Sequence, residues 1–79
     1  MITARQSRAA RALLGWTQET LAEKARVSLT ALKRLESESG LDVYETTRDQ
    51  VRRAFEREGI VFLNSGQGVG VLLVRDRTG

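Results

Sequence analysis

Four side chains between positions 28 and 34 combine hydroxyl groups with positive charge: Ser28, Thr30, Lys33 and Arg34. Such groups donate hydrogen bonds to phosphate oxygens and to the base edges that a DNA groove exposes. At helical spacing all four lie off the apolar stripe and would face solvent together. This pattern favours non-covalent recognition of nucleic acid.

Residue types that carry catalysis or bind metals are scarce. The chain has no cysteine and no histidine, which excludes disulfides, thiolate nucleophiles, imidazole bases and the usual zinc ligand sets. Its carboxylates alternate with arginines, and nothing marks a pocket in which their pKa values would shift. We therefore expect no enzymatic activity, no metal and no cofactor.

Length and hydropathy bound the size and the location of the protein. A chain of 79 residues forms one domain with a marginal core, so we expect it to associate. No apolar run approaches the roughly 20 residues that span a bilayer, and the first residues lack the pattern of a secretion signal. The sequence predicts a cytoplasmic protein without membrane contact.

The net charge of +3 conceals an uneven distribution along the chain. Residues 1–34 hold seven basic and two acidic side chains, whereas residues 35–58 hold four basic and seven acidic ones. A basic segment attracts a phosphate backbone and an acidic one is repelled by it. We expect the acidic residues from Glu36 onward to face away from DNA and to serve solubility.

Short helices would position the polar residues. Thr3 and Gln6 have capping-box spacing, which predicts a first helix over about 4–14 that Gly15 ends. Thr17 and Ser28 are good N-caps for two more helices, over about 18–25 and 29–36. Apolar positions of the first helix are Ala9, Ala10, Leu13 and Leu14. Those of the next two include Leu21, Ala22, Ala25, Leu32 and Leu35, with Val27 between them.

A fourth helix and a β-hairpin complete the predicted fold, which is mainly α. Thr46 or Thr47 can begin the helix and Gly59 can end it. Its inner face would hold Val51, Ala54 and Phe55. Trp16 is expected to fill a gap in the core, not to stack on a base.

The hairpin is predicted as a strand over 60–63, a turn over 64–68 and a strand over 69–74. We expect positive φ at the turn glycines, with Gly70 as a bulge or a site of close backbone approach. No helix follows these glycines, which argues against a nucleotide-binding loop.

Both strands are apolar at consecutive positions, yet one small helical core covers only one face of a hairpin. The other face is therefore expected to meet a second subunit, and a charge at Leu73 or Val61 to release monomers. The sequence thus divides into a helical unit (1–59), a hairpin that serves as the dimerisation element (60–74) and a flexible tail (75–79).

The segment from Leu14 to Ala25, followed by Val27-Ser28, resembles the XRE, or Cro and phage-repressor-like, helix-turn-helix family. The resemblance extends over about residues 3–60 and implies a λ-repressor-like fold. Matching positions are Gln18, Ala22, Val27, Ser28, Leu32 and Glu36.

The resemblance also implies how DNA would be bound. Gln18 would touch a phosphate and brace the third helix, and the family binds operator half-sites as dimers. The remaining DNA-contacting positions would be Ser28, Leu29, Thr30, Lys33 and Arg34.

Two residues depart from the family pattern. Arg26 stands where glycine is usual, which implies backbone strain. Leu29 stands where a polar base reader is common, and an exposed leucine suits either a thymine methyl group or a protein-binding surface.

We interpret the chain as a sequence-specific regulator that binds double-stranded DNA. The absence of a sensor domain favours repression over activation. The alternative is a protein-binding adaptor, an antitoxin or antiactivator that keeps the helix-turn-helix scaffold but grips another regulatory protein.

Overall fold

A computed structural model describes residues 2–37 and 43–74. Within them, helices precede a two-stranded antiparallel hairpin, as predicted. The predicted tail, 75–79, lies outside the described residues, and so does most of the predicted loop over 37–40. The elements are α1 (Ala4–Leu14), α2 (Gln18–Ala25), α3 (Leu29–Glu36), α4 (Glu45–Arg57), β1 (Ile60–Ser65) and β2 (Gly68–Leu73).

Local caps set the bounds of the first three helices, which agree with the predicted ones. Thr3 and Gln6 form the full capping box, each accepting from the backbone N–H of the other at 3.1 and 3.0 Å. Gly15 ends α1 with φ 69°. Thr17 and Ser28 cap α2 and α3 through their hydroxyl oxygens at 3.1 and 3.0 Å.

The apolar positions of α1 coincide only partly with its buried face. Ala9 and Leu13 are exposed, whereas Gln6, Ser7 and Ala10 are buried. The buried polar pair is stable there because both side chains are hydrogen-bonded. The spacing of apolar residues alone therefore predicts a buried face of α1 that is shifted by about one residue from the observed one.

The fourth helix begins one residue before the predicted threonines. Tyr44 occupies the N-cap position without a side-chain cap, and Glu45 is the first helical residue. Thr47 is buried within the first turn, where it packs and does not cap. The carboxylate of Glu45 suits the positive end of the helix dipole. Gly59, with φ 93°, follows the helix end as predicted.

The core lies between the helices and one face of the hairpin. Trp16 stacks on Phe55 with ring centroids 5.9 Å apart, and Phe55 meets Phe62 edge-on at 6.0 Å. Trp16 thus packs against the core, as predicted. Other buried apolar residues include Leu21, Ala25, Leu32, Leu35, Val51, Ala54 and Ile60.

The hairpin turn is tighter than predicted. Pairing runs without interruption from Ile60–Leu73 to Ser65–Gly68, which leaves a two-residue loop and no bulge at Gly70. Among the described glycines, only Gly15 and Gly59 have positive φ, so the predicted backbone of the turn glycines is also wrong.

One face of the hairpin packs on the helices and the other does not. Gln6 holds the hairpin to α1, because its Nε2 donates to the carbonyl oxygens of Leu63 and Gly70 at 3.2 and 3.0 Å. The inward side chains are Ile60, Phe62, Val71 and Leu73. Leu73 is therefore unsuited to test association, contrary to the expectation from sequence.

Arg26 adopts the left-handed backbone that its replacement of glycine implied, with φ 59° and ψ 44°. We expect Arg26→Gly to raise the free energy of unfolding by about 0.5–1 kcal/mol, because relief of strain exceeds the added chain entropy of glycine. Urea denaturation measures this. Lys24→Gly, within α2, is the control and should cost about 1 kcal/mol; an equal loss in both variants would contradict strain at Arg26.

Candidate nucleic-acid interface

Close packing of α2 on α3 fixes the orientation of the third helix. Ala22 is buried where the helices meet, and its carbonyl accepts from the backbone N–H of Val27 at 3.0 Å. Leu21 and Leu32 have no exposed surface. A small residue at this contact lets the two helices approach closely, so α3 is held as a rigid unit.

The polar residues predicted on α3 are brought together on its outer side. Ser28, Thr30, Lys33 and Arg34 are all exposed. Three of them, Ser28, Thr30 and Arg34, line a groove between α3 and the start of α4, whereas Lys33 lies outside it. Ser28 accepts the capping hydrogen bond through its oxygen, so its hydroxyl proton is available to donate.

Leu29 differs from expectation because it is only half-exposed. Its side chain packs against the buried core. It is therefore anchored at the beginning of α3, and only part of its side chain is accessible.

Gln18 contacts α3 from the beginning of α2. Its Nε2 donates to Glu36 Oε1 at 3.0 Å, which links the two helices at the end of α3 opposite the turn. This bond provides the brace that the family resemblance implied. Contact of Gln18 with a phosphate stays a prediction.

The sequence predicts that Glu36 is exposed and serves solubility, but the structure shows that it is buried. Its carboxylate accepts from Arg11 Nη2 at 2.8 Å, from the Ser7 hydroxyl at 2.5 Å and from Gln18. Arg8 also donates to its main-chain carbonyl. One carboxylate thus joins α1, α2 and α3. The sequence offered a clue in Arg8 and Arg11, which are three residues apart on the first helix.

The surroundings of Glu36 keep it ionised. Burial by itself raises the pKa of the carboxyl, but hydrogen bonds from Arg11, Ser7 and Gln18 outweigh burial and lower the pKa below its ordinary value of 4.5. At neutral pH the site therefore holds a carboxylate paired with a guanidinium.

Comparison with known proteins agrees with this geometry. The family model described as "Helix-turn-helix" matches residues 8–42, which include most of α1 and all of α2 and α3. A search of curated proteins finds no significant match. No helix in the described part of the chain is long and apolar enough to cross a bilayer. Residues 8–42 thus match a helix-turn-helix domain, the type of DNA-binding domain that the resemblance to the XRE family implied.

Proposed function

We propose that the protein is a dimeric repressor that reads an operator half-site in the major groove with α3. The observation that carries this proposal is the exposed polar face of α3. Hydrogen bonds from α1 and α2 to Glu36 hold this helix in place. Preorganised side chains lose less entropy on binding, so the rigid support favours recognition by this helix.

Each residue of the face has a chemical role in this proposal. Lys33 and Arg34 can donate to the O6 and N7 atoms of guanine. Ser28 and Thr30 carry hydroxyl groups for phosphate or base contacts, and Gln18 would touch a phosphate at the start of α2. The exposed edge of Leu29 suits a thymine methyl group.

The second copy would dock on the outer face of the hairpin. Its exposed apolar side chains are Val61, Leu63, Leu72 and Val74, with 41, 50, 52 and 38% of their surfaces accessible. A two-fold dimer would place two α3 helices on half-sites about one helical turn, or 34 Å, apart. Occupancy of such a site represses transcription by excluding polymerase.

The same apolar face favours a second candidate, an adaptor that binds another protein. The two functions differ in their response to salt. Phosphate-led binding weakens steeply as salt rises, whereas a contact centred on apolar side chains hardly changes.

Mobility shift tests the DNA-reading function. The wild type should bind its own upstream duplex more tightly than a random duplex of equal length, and more weakly at higher salt. Lys33→Ala or Arg34→Ala should cost about 1–3 kcal/mol of selective binding if the residue reads a base.

The matched control for both variants is Arg52→Ala, which removes one positive charge from α4. Arg52 pairs with Asp49 and Glu56 on its own helix. Unchanged binding by both α3 variants would contradict docking through α3. Absence of selective binding by the wild type would favour the adaptor.

A further inference from the structure

A second group of cations lies beside the turn between α2 and α3. One depression, outside the α3 groove, is lined by Lys24, Arg26, Gln50, Arg53 and Arg57, together with Ala25. We name its four cations, Lys24, Arg26, Arg53 and Arg57, the turn cluster. Two of its residues, Arg53 and Arg57, come from α4, although residues 35–58 as a whole hold more acidic than basic side chains.

The turn cluster is poorly neutralised. Among the described residues, no carboxylate forms a salt bridge with Lys24, Arg26 or Arg57. Arg53 does pair with Asp49, at 2.9 Å. Arg57 Nη2 lies 3.4 Å from the carbonyl oxygen of Lys24, near the negative end of α2. Cations gathered in one depression repel one another, and an anion would relieve that repulsion.

Arg26 adds an independent observation. Among the described residues it is the only non-glycine residue with positive φ. Glycine would adopt this backbone without strain, yet an exposed arginine occupies the position. Residues with strained backbones cluster at sites that bind ligands, so the strain at this exposed charge favours a binding role for Arg26.

We propose that the turn cluster binds phosphodiester oxygens of DNA next to the groove that α3 enters. This inference rests on the proposed function, which it extends to a second set of contacts. Arg26 stands two residues before Ser28 at the start of α3, and two residues span at most about 7 Å. Arg26 is therefore close enough to the beginning of α3 for its guanidinium to contact a phosphate beside the groove that α3 would enter.

Phosphate contacts position a protein without reading sequence. The turn cluster therefore contributes to affinity and to its salt dependence, but not to selectivity. The exposed face of α3 contributes the selectivity, so the two surfaces respond differently to the same assay.

The test uses the full chain with two duplexes of equal length, its own upstream DNA and a random sequence, at several salt concentrations. Arg26→Gly and Arg57→Gln are compared with wild type. In each variant the slope of log affinity against log salt should become shallower by about 0.9 on both duplexes, the value for one lost phosphate contact. The ratio of affinities for the two duplexes should not change.

Two controls distinguish the loss of a phosphate contact from a general effect of charge and from a loss of folded protein. Arg52→Gln removes the same charge from α4 outside the turn cluster and should keep the wild-type slope. Arg26→Gly should unfold at the same temperature as wild type or higher, so weaker binding by this variant does not reflect a loss of folded protein.

Wild-type slopes in both cluster variants would overturn the inference and leave the proposed function standing. Equal wild-type affinity for the two duplexes, with shallower slopes in the variants, would overturn selective reading and support the turn cluster. A wild type that binds neither duplex would overturn both.

Discussion

Glu36→Gln should lower the free energy of unfolding by about 3 kcal/mol, because it leaves the guanidinium of Arg11 without its counter-charge in a largely buried site. The carboxylate accepts hydrogen bonds from three side chains on α1 and α2. The amide nitrogen of glutamine is a donor and cannot accept from any of them. Urea denaturation followed by circular dichroism measures the loss.

Glu56→Gln is the matched control for this variant. Glu56 is exposed and pairs with Arg52 at 2.9 Å on the surface of α4. Exposed pairs of this kind contribute at most about 0.5 kcal/mol. Equal destabilisation by the two substitutions would show that the buried carboxylate does not join the helices.

The same substitution should change the response to acid. The pKa of Glu36 is lowered in the folded protein, so its contribution to stability is present at pH values above the ordinary value of 4.5. That contribution is lost as pH falls through the lower pKa of the folded state. Between neutral pH and strong acid, wild type should therefore lose more stability than Glu36→Gln. Parallel pH profiles would contradict the assignment.

Leu72→Glu should convert the proposed dimer to monomers. Leu72 lies on the outer face of the hairpin and is 52% exposed in the single chain. Burying an unpaired carboxylate in an apolar interface costs several kcal/mol. A loss of about 3 kcal/mol weakens dimerisation roughly a hundredfold. Sedimentation equilibrium measures the mass of each variant.

Two further variants make this test specific. Leu13→Glu places the same charge on α1 at a leucine of similar exposure, 47%, and should leave the proposed dimer intact. Leu73→Glu places it on the inner face of the hairpin and should destabilise the fold itself. A monomeric wild type, or dissociation caused equally by Leu13→Glu, would exclude the hairpin as the interface.

Local interactions explain why much of the fold was predictable. Thr3, Thr17 and Ser28 each accept from a backbone N–H three residues along the chain, so helix starts can be predicted from short segments. Gly15 ends a helix through its own φ. The polar residues of α3 were predictable for the same reason, since helical spacing alone places them off the apolar stripe.

Features that join distant segments were not predictable in this way. Glu36 meets Arg11 across 25 positions of sequence, and only packing shows that this acidic residue is buried. Both hairpin strands are apolar at consecutive positions, so their pattern did not show whether Leu72 or Leu73 points inward. The packing of the hairpin on the helices determines that Leu73 points inward and Leu72 outward. Arg53 and Arg57 join Lys24 and Arg26 because α4 packs on α2, and summing charges along the chain concealed this cluster of cations.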